Sequence, residues 1–319
     1  MVRQAFTARQ AAVACEYVWR RMEQKAGIRK SDPSTWPERY DIEEHLRNPE
    51  VLECFTDRIA NAIGQLVGHS RWRGERRWGL WPVNFSFGRS RPYDFPTTGW
   101  HIDGNWFTHT VNSPKQGLLV VGLFTDIEPR GGGTILSLGS HKRTARVLAG
   151  HPEGIGHRDL FREVLSEPIG NFHEVTGSAG DVVLAHPFLF HTKGIKHVGG
   201  PRIISNTEAG LRQPMVLSRT LDTDYSILEE SIRKALREAP EVPPDARACR
   251  FLRSGRGTCT RPRRRVHAGH VPDVHRRGHH HRGRNRSSAV VHRHGPRDSR
   301  PVAGHHRPAD RIALAGRRA

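Results

Sequence analysis

The sequence is poor in cysteine and has no long apolar run. Its four cysteines among 319 residues are Cys15, Cys54, Cys249 and Cys259, and no pair has C-x-x-C spacing. This pattern argues against a disulfide framework, so we expect a cytoplasmic protein. No apolar stretch approaches the roughly 18 residues of a membrane span, and the N-terminal segment lacks the apolar stretch of an export signal. We therefore expect neither membrane insertion nor export.

Lysine and glutamate are absent from residues 245–319, yet most of the net positive charge of the chain lies there. The whole chain has 51 Lys+Arg against 32 Asp+Glu, a formal net charge of +19. Residues 245–319 contain 20 arginines and four aspartates, which leaves 31 basic and 28 acidic residues in the first 244. The first 244 residues therefore have the charge balance of an ordinary globular domain.

Segment 241–319 is also too poor in apolar residues to bury a core. Arg, His, Gly, Pro and Ala dominate it, and it holds ten of the 21 histidines. Two interpretations stay open: a disordered basic tail, or a translated wrong reading frame of a GC-rich gene, since Arg, Gly, Pro and Ala have GC-rich codons. In either case we predict one folded domain over residues 1–240.

Helical periodicity and strand-like alternation divide that domain. Apolar residues recur at helical spacing over 11–22, 51–67, 158–165 and 226–236. Alternating or continuous apolar runs predict strands at 81–87, 117–124, 134–138, 181–185 and 202–208. This order predicts a mainly β fold with flanking helices, an antiparallel barrel or jelly roll with its core strands over about 78–212.

The triplet His101-Ile102-Asp103 carries the clearest chemical signal. In an extended segment residues i and i+2 point to the same side, so His101 and Asp103 can reach one metal ion. Imidazole plus carboxylate suits Fe(II), and a second histidine would complete a two-His, one-carboxylate triad. The other H-x-D triplet, His157-Arg158-Asp159, lies in a helical pattern, where i and i+2 diverge by about 200°. We therefore prefer the first triplet.

Downstream residues can complete such a site. His191 follows the Gly180-Asp181 turn and its predicted strand, and Arg202 begins another strand pattern 11 residues later. An arginine there can hold a carboxylate through a bidentate, charge-assisted contact. His186 is the alternative distal ligand, but the distance along the chain to Arg202 favours His191.

In combination these motifs resemble the phytanoyl-CoA dioxygenase family. The resemblance covers roughly residues 5–240, and its matching pieces are His101-Ile102-Asp103-Gly104, Gly131-Gly132-Gly133, Leu138-Gly139-Ser140-His141, Gly180-Asp181, and His191 with Arg202. It implies a double-stranded β-helix of the cupin-like type, with Fe(II), 2-oxoglutarate and O2. It also implies that His101, Asp103 and His191 hold the iron, while Arg202 anchors 2-oxoglutarate.

The resemblance implies a 2-oxoglutarate-dependent dioxygenase that oxidises a small organic substrate and releases succinate and CO2. Related halogenases have Gly or Ala in place of the carboxylate, so Asp103 favours hydroxylation or a related oxidation. No motif marks the substrate, although natural-product biosynthesis is a fold-level analogy.

Residues beside the predicted ligands have two interpretations each. Trp100, Trp106 and Phe107 are candidates for the substrate pocket, or for the core. Lys193, Lys196 and His197 are candidates for contact with an anionic substrate, although solvated loop charges are the preferred interpretation. His141 is expected to stabilise a turn rather than bind metal.

Two other classes of function stay open. The arginine-rich segment could bind nucleic acid through phosphate contacts, although it lacks interleaved aromatic residues and any recognised module. A cupin-type barrel could bind metal without 2-oxoglutarate chemistry, but such a protein has no need of Arg202.

Overall fold

The fold is that of a computed structural model, which describes residues 1–115, 117–220 and 224–238. The predictions made for segment 241–319 lie outside these residues. Among the described helices, none combines the length and the apolar character needed to cross a bilayer. Cys15 and Cys54 are buried free thiols.

Helices flank a set of short strands along the chain. The helices are α1 Ala8–Ala26, α2 Pro49–Leu52, α3 Asp57–Val67, α4 Ser140–Ala149, α5 His157–Val164 and α6 Ile227–Arg237. The strands are β1 Arg39–Ile42, β2 Trp81–Asn84, β3 Leu118–Leu123, β4 Thr134–Ser137, β5 Phe172–Glu174, β6 Val182–Ala185, β7 His191–Lys193 and β8 Arg202–Ala209.

A five-stranded sheet with the order β1-β2-β8-β3-β6 forms the larger layer, and its strand pairs are antiparallel. Alternate residues of an extended strand point to opposite faces. On one face, Val120 and Ile203 join a buried apolar cluster with Val18 of α1 and Ile63 of α3. The N-terminal helices therefore cover one face of this sheet.

The second layer is a three-stranded antiparallel sheet with the order β5-β4-β7. A separate apolar cluster joins it to the other face of the larger sheet. It includes Leu123 and Ile204 from the larger sheet, and Leu136 of β4 with Leu189 just before β7. The mainly β fold with flanking helices and antiparallel sheets is thus confirmed.

The predicted helix over 51–67 is wrong in one respect, because a turn interrupts it. α2 ends at Leu52 and α3 begins at Asp57. Between them the Thr56 hydroxyl donates to the Ala5 carbonyl at 2.6 Å, and Phe55 packs against Trp78 with ring centroids 5.3 Å apart. These tertiary contacts stabilise a turn that the apolar periodicity alone does not reveal.

β2 and α4 also differ from the sequence prediction. β2 ends at Asn84 rather than at residue 87, because the Asn84 Oδ1 accepts from the Phe87 N–H at 3.0 Å and closes a turn. α4 was not predicted; it begins directly after Gly139, which has a φ of +90°. Its buried face includes Ser140 and Thr144, which are too polar to give an apolar pattern.

Asp181 ties the N-terminal segment to the turn that precedes β6. Its side chain is 2 % exposed and accepts from Arg3 Nη1 at 2.7 Å, from Gln4 N at 2.8 Å and from Ser178 N at 3.0 Å. Burial alone would raise the pKa of Asp181, but the Gln4, Arg3 and Ser178 hydrogen bonds hold it below its ordinary value. The folded protein therefore stabilises the ionised form of the Asp181 carboxylate.

We predict that Asp181→Ala lowers the free energy of unfolding by about 3 kcal/mol, because the backbone N–H groups of Gln4 and Ser178 and the Arg3 guanidinium lose a buried, charged acceptor. Urea denaturation at neutral pH measures this. Asp126→Ala is the control, since Asp126 accepts from the exposed Ala179 N–H and should lose less. The deficit of Asp181→Ala should shrink as pH falls through the lowered folded pKa. An equal loss in both variants, or none, would contradict this role.

Candidate metal centre

Two backbone hydrogen bonds bring His101 and His191 side by side. The His101 N–H donates to the His191 carbonyl at 3.0 Å, and the His191 N–H donates to the His101 carbonyl at 2.9 Å. The pair forms an isolated antiparallel bridge at the start of β7. Because residues paired directly in an antiparallel bridge point to the same side, their rings lie 4.4 Å apart between centroids.

Asp103 completes the cluster from the same extended segment as His101. Its Oδ1 lies 3.7 Å from His101 Nε2 and 3.6 Å from His191 Nε2. One potential ligand atom from each of His101, Asp103 and His191 lies within 4.8 Å of the other two. Such a group of three His, Cys, Asp or Glu residues could hold a metal ion. Its donors, two imidazoles and one carboxylate, are those that a non-haem iron ion takes.

Both imidazoles are oriented through their other nitrogen. His101 Nδ1 lies 2.8 Å from the Gly99 carbonyl, and His191 Nδ1 lies 3.1 Å from the Leu189 carbonyl. A carbonyl only accepts, so each Nδ1 carries a proton and each Nε2 is the nitrogen that can bind a metal ion beside Asp103. Such backbone contacts fix the tautomer of metal-binding histidines, so the donor set fits a divalent metal ion.

The three groups differ in how they titrate. Burial, and then the proximity of His191, lower the pKa of His101. Burial opposes ionisation of Asp103, but the nearby imidazole of His191, and then that of His101, outweigh it and keep the pKa of Asp103 below its usual range. Burial also opposes the charged form of His191, whose pKa is nevertheless raised by Asp103. The cluster therefore keeps its carboxylate ionised.

Gly104 shapes the segment directly after Asp103. It has a φ of +111°, and a Cβ at this position would lie 2.5 Å from the Phe107 ring. Its carbonyl lies 2.9 Å from His109 Nε2, and the rings of Phe107 and His109 are 4.5 Å apart. Only glycine adopts this conformation without strain, so the segment turns sharply away from the cluster behind Asp103.

Arg202 is buried at the start of β8, where it pairs in register with Asn84 of β2. It is 3 % exposed, Nη1 donates to the Pro82 carbonyl at 3.2 Å, and Nε has no hydrogen-bond partner among the described residues. Burial and the nearby charge of Arg39 lower its pKa to about 10, which still leaves it cationic. A guanidinium has five N–H donors, so this buried cation has donors available for an anion.

The predicted pocket aromatics do not share one surrounding. Trp100 is 7 % exposed and stacks on Phe172 at 4.8 Å. Trp106 is 65 % exposed, and its ring meets that of Phe107 edge-on at 5.7 Å. Trp100 thus packs in the apolar core, whereas Trp106 faces solvent on the segment that follows Asp103.

The alternative ligands lie elsewhere. His157 and Asp159 sit on the first turn of α5. His186 packs against His141 of α4, with ring centroids 4.8 Å apart, and its Nδ1 accepts from the Phe188 N–H at 3.1 Å. Burial, with the nearby charge of His141, lowers the pKa of His186 to about 3. The structure therefore brings His191, and not His186, together with His101 and Asp103.

Lys193, Lys196 and His197 were expected to be solvated loop charges, and this prediction is wrong for Lys196. It is 1 % exposed, and its Nζ donates to the Val198 carbonyl at 2.7 Å and to the Gly131 carbonyl at 3.3 Å. Burial, and then the charge of Arg202, lower the pKa of Lys196 to about 8. Lys193 is exposed as expected, and His197 is half-buried. The carbonyl acceptors explain why Lys196 can be buried.

One residue at this site was missed by the sequence analysis. Asn206 lies on β8, on the same face as Arg202, and its Oδ1 is buried without a hydrogen-bond partner among the described residues. The available signal was the strand alternation from Arg202, which puts residues 204, 206 and 208 on the same face.

Comparisons with known proteins give remote structural likenesses. No protein-family model and no curated protein matches the chain. HygX from Streptomyces hygroscopicus, a structure with nickel and 2-oxoglutarate bound, is 14 % identical over 75 % of this chain and 88 % of its own, with a TM-score of 0.41. The non-heme alpha ketoglutarate dependent epimerase SnoN from nogalamycin biosynthesis is 16 % identical over 64 % and 74 %, with a TM-score of 0.35. EctD from S. alaskensis is 16 % identical over 70 % and 80 %, with a TM-score of 0.38.

Similarity at this level assigns the chain neither a family nor an activity. The resemblance to phytanoyl-CoA dioxygenases therefore stays a prediction.

We predict that His101→Ala weakens Co(II) binding at least about 100-fold, because it removes one of three converging donors. Equilibrium dialysis of the folded protein against Co(II) measures the change. His157→Ala is the matched control, because His157 belongs to the other H-x-D triplet and lies on α5. Equal affinity of the two variants would contradict the assignment of the site.

Proposed function

We propose that this protein is a non-haem Fe(II)- and 2-oxoglutarate-dependent oxygenase that oxidises a small organic substrate with O2 and releases succinate and CO2. The observation that supports this most is the convergence of His101 Nε2, His191 Nε2 and Asp103 Oδ1 in one cluster. Bound Fe(II) would supply the O2 chemistry coupled to decarboxylation of 2-oxoglutarate. A facial triad leaves room on the metal for both.

Each residue has a defined task in this proposal. His101 and His191 hold the metal through nitrogens whose direction is fixed by the Gly99 and Leu189 carbonyls. Asp103 offsets part of the charge of the metal. Arg202 receives the distal carboxylate of 2-oxoglutarate, because it is a buried cation whose Nε has no partner within the described residues.

The position of Arg202 on β8 supports that task. Arg202 and Asn206 lie on the same face of the strand, and four residues span about 13 Å. Asn206 lies at the other end of this row. In this proposal, a keto-diacid that chelates the metal extends along this face towards the guanidinium.

The apolar layer between the sheets supports a dry reaction site. Leu136, Leu189 and Ile204 belong to the buried cluster of that layer. Leu136 pairs in register with His191. Exclusion of water strengthens the ion pair between Arg202 and a carboxylate and limits side reactions.

The more specific predictions from the sequence, on topology, domain bounds, family and compartment, also belong to this proposal. We propose that the two sheets form a double-stranded β-helix (jelly roll), that residues 1–240 are the catalytic domain of a phytanoyl-CoA-dioxygenase-like enzyme, and that it acts in the cytoplasm. Because Asp103 is present, hydroxylation is the preferred reaction. The exposed Trp106, with Phe107, would line the entrance for the substrate, while Trp100 supports it from the core.

We predict that the protein with Fe(II), O2 and 2-oxoglutarate forms succinate, and that Arg202→Lys raises the KM for 2-oxoglutarate at least about tenfold. The cause is loss of a charge-assisted contact worth about 1.5–3 kcal/mol. Mass spectrometry of succinate measures both quantities.

Arg77→Lys is the control, because Arg77 is a half-buried arginine that contacts β8, where it donates to Glu208 at 2.5 Å. The KM of the Arg77→Lys variant for 2-oxoglutarate should stay within about twofold of the wild-type value. Absence of Fe(II)-dependent succinate from the wild type would refute the function, whereas an unchanged KM in Arg202→Lys would refute only the anchor.

A further inference from the structure

The segment that carries Asp103 is fixed by backbone pairing at its two ends. The bridge of His101 to β7 fixes one end, and His109 fixes the other through two hydrogen bonds of 2.9 Å with Ile155. Between these bridges, residues 102–108 belong to no helix or strand. They make no backbone–backbone hydrogen bond within the described residues. Pairing at the ends alone therefore does not fix the position of the Asp103 carboxylate.

The His109 imidazole reaches back to the residue that follows Asp103. Its Nε2 lies 2.9 Å from the Gly104 carbonyl. A carbonyl only accepts, so Nε2 carries a proton and donates it to this contact. In the described part of the chain, this is the one hydrogen bond that the backbone of residues 102–108 makes. The imidazole thus restrains the peptide directly beside the carboxylate ligand.

The His109 ring itself is held firmly. It is 2 % exposed, and its centroid lies 4.5 Å from that of Phe107. A Cβ on Gly104 would lie 3.0 Å from His109 Cε1, so the ring and the turn are in close contact. Burial lowers the pKa of His109, although the hydrogen bond to Gly104 opposes this. At neutral pH the ring is therefore uncharged, and Gly104 receives its single N–H.

Packing alone does not account for a histidine at position 109. Phenylalanine would also fill this buried place beside Phe107, and burial of a polar ring costs free energy unless the ring is hydrogen-bonded. The imidazole differs from an apolar ring in its donor, and that donor contacts Gly104.

We propose that His109 is a positioning residue for the metal centre: its Nε2–H holds the Gly104 carbonyl and thereby keeps the Asp103 carboxylate directed at the two histidine nitrogens. The inference rests on the metal site of the proposed function. Groups that orient metal ligands typically contribute about 10–100-fold to metal affinity. Without the contact, the segment that carries Asp103 would be free to move away from the histidines.

Two substitutions separate the donor from the ring. His109→Phe keeps a ring against Phe107 but removes the donor, whereas His109→Gln keeps an N–H donor without the ring. For His109→Phe we expect the Kd for Co(II), measured by equilibrium dialysis, to rise at least about tenfold. We also expect its ligand-field absorption bands of bound Co(II) to shift. For His109→Gln we expect a Kd within about threefold of wild type and unshifted bands.

A ring that only fills the core predicts the reverse order of the two variants. Wild-type Kd and spectrum in His109→Phe, or a His109→Gln variant that binds Co(II) no better than His109→Phe, would overturn the proposal. Should His109→Phe not fold, His109→Leu is judged by the same Kd and spectrum.

His45→Phe is the matched control. The Nδ1 of His45 also donates to a backbone carbonyl, that of Trp78, at 3.3 Å. His45 lies between β1 and α2 and is not part of the cluster of possible metal ligands. The Kd of His45→Phe for Co(II) should stay within about twofold of wild type, and its spectrum should not change.

Asp103→Ala separates failure of this inference from failure of the metal site. If wild type binds Co(II) no better than Asp103→Ala, the metal site itself is wrong, and the role of His109 fails with it. If wild type binds more tightly than Asp103→Ala and His109→Phe matches wild type, the metal site stands and only the role of His109 is overturned.

Discussion

The backbone bridge between His101 and His191 is the constraint on which the site depends. Its two hydrogen bonds, of 3.0 and 2.9 Å, join segments that are 90 residues apart in sequence. They put both imidazoles on one side, and the extended run through Ile102 then brings Asp103 to the same place. The ligand geometry is therefore set by regular backbone pairing, which is stiffer than a loop held by side chains alone.

β8 provides the polar side of the same site. Its inward face carries Arg202, Ile204, Asn206 and Glu208 in alternation, within an otherwise apolar layer. Among the described residues, Arg202 Nε and Asn206 Oδ1 are buried without a hydrogen-bond partner. One strand thus carries the proposed anchor of 2-oxoglutarate, and its apolar neighbours would strengthen a polar contact made there.

The sequence predicted those parts of the fold whose apolar pattern is long. α1, β3 and β8 lie close to their predicted ranges, because each buries a continuous or regularly spaced apolar face. α4 was missed because Ser140 and Thr144 lie on its buried face, and the break between α2 and α3 depends on tertiary contacts of Phe55.

The candidate site also has parts that the sequence predicted and parts that it did not. His101 and Asp103 share a strand-like triplet, so their convergence could be predicted from spacing alone. The preference for His191 over His186 rested on its distance from Arg202, and the structure brings His191 to the cluster. The burial of Lys196 could not be predicted, because one of its carbonyl acceptors, that of Gly131, lies on a segment distant in sequence.

The most direct test of the account is X-ray absorption at the iron edge of protein loaded anaerobically with one equivalent of Fe(II). The account predicts a six-coordinate Fe(II) ion with nitrogen and oxygen donors and the outer-shell scattering of two imidazoles. A spectrum without imidazole scattering, or with a single imidazole, would contradict a centre formed by His101, Asp103 and His191.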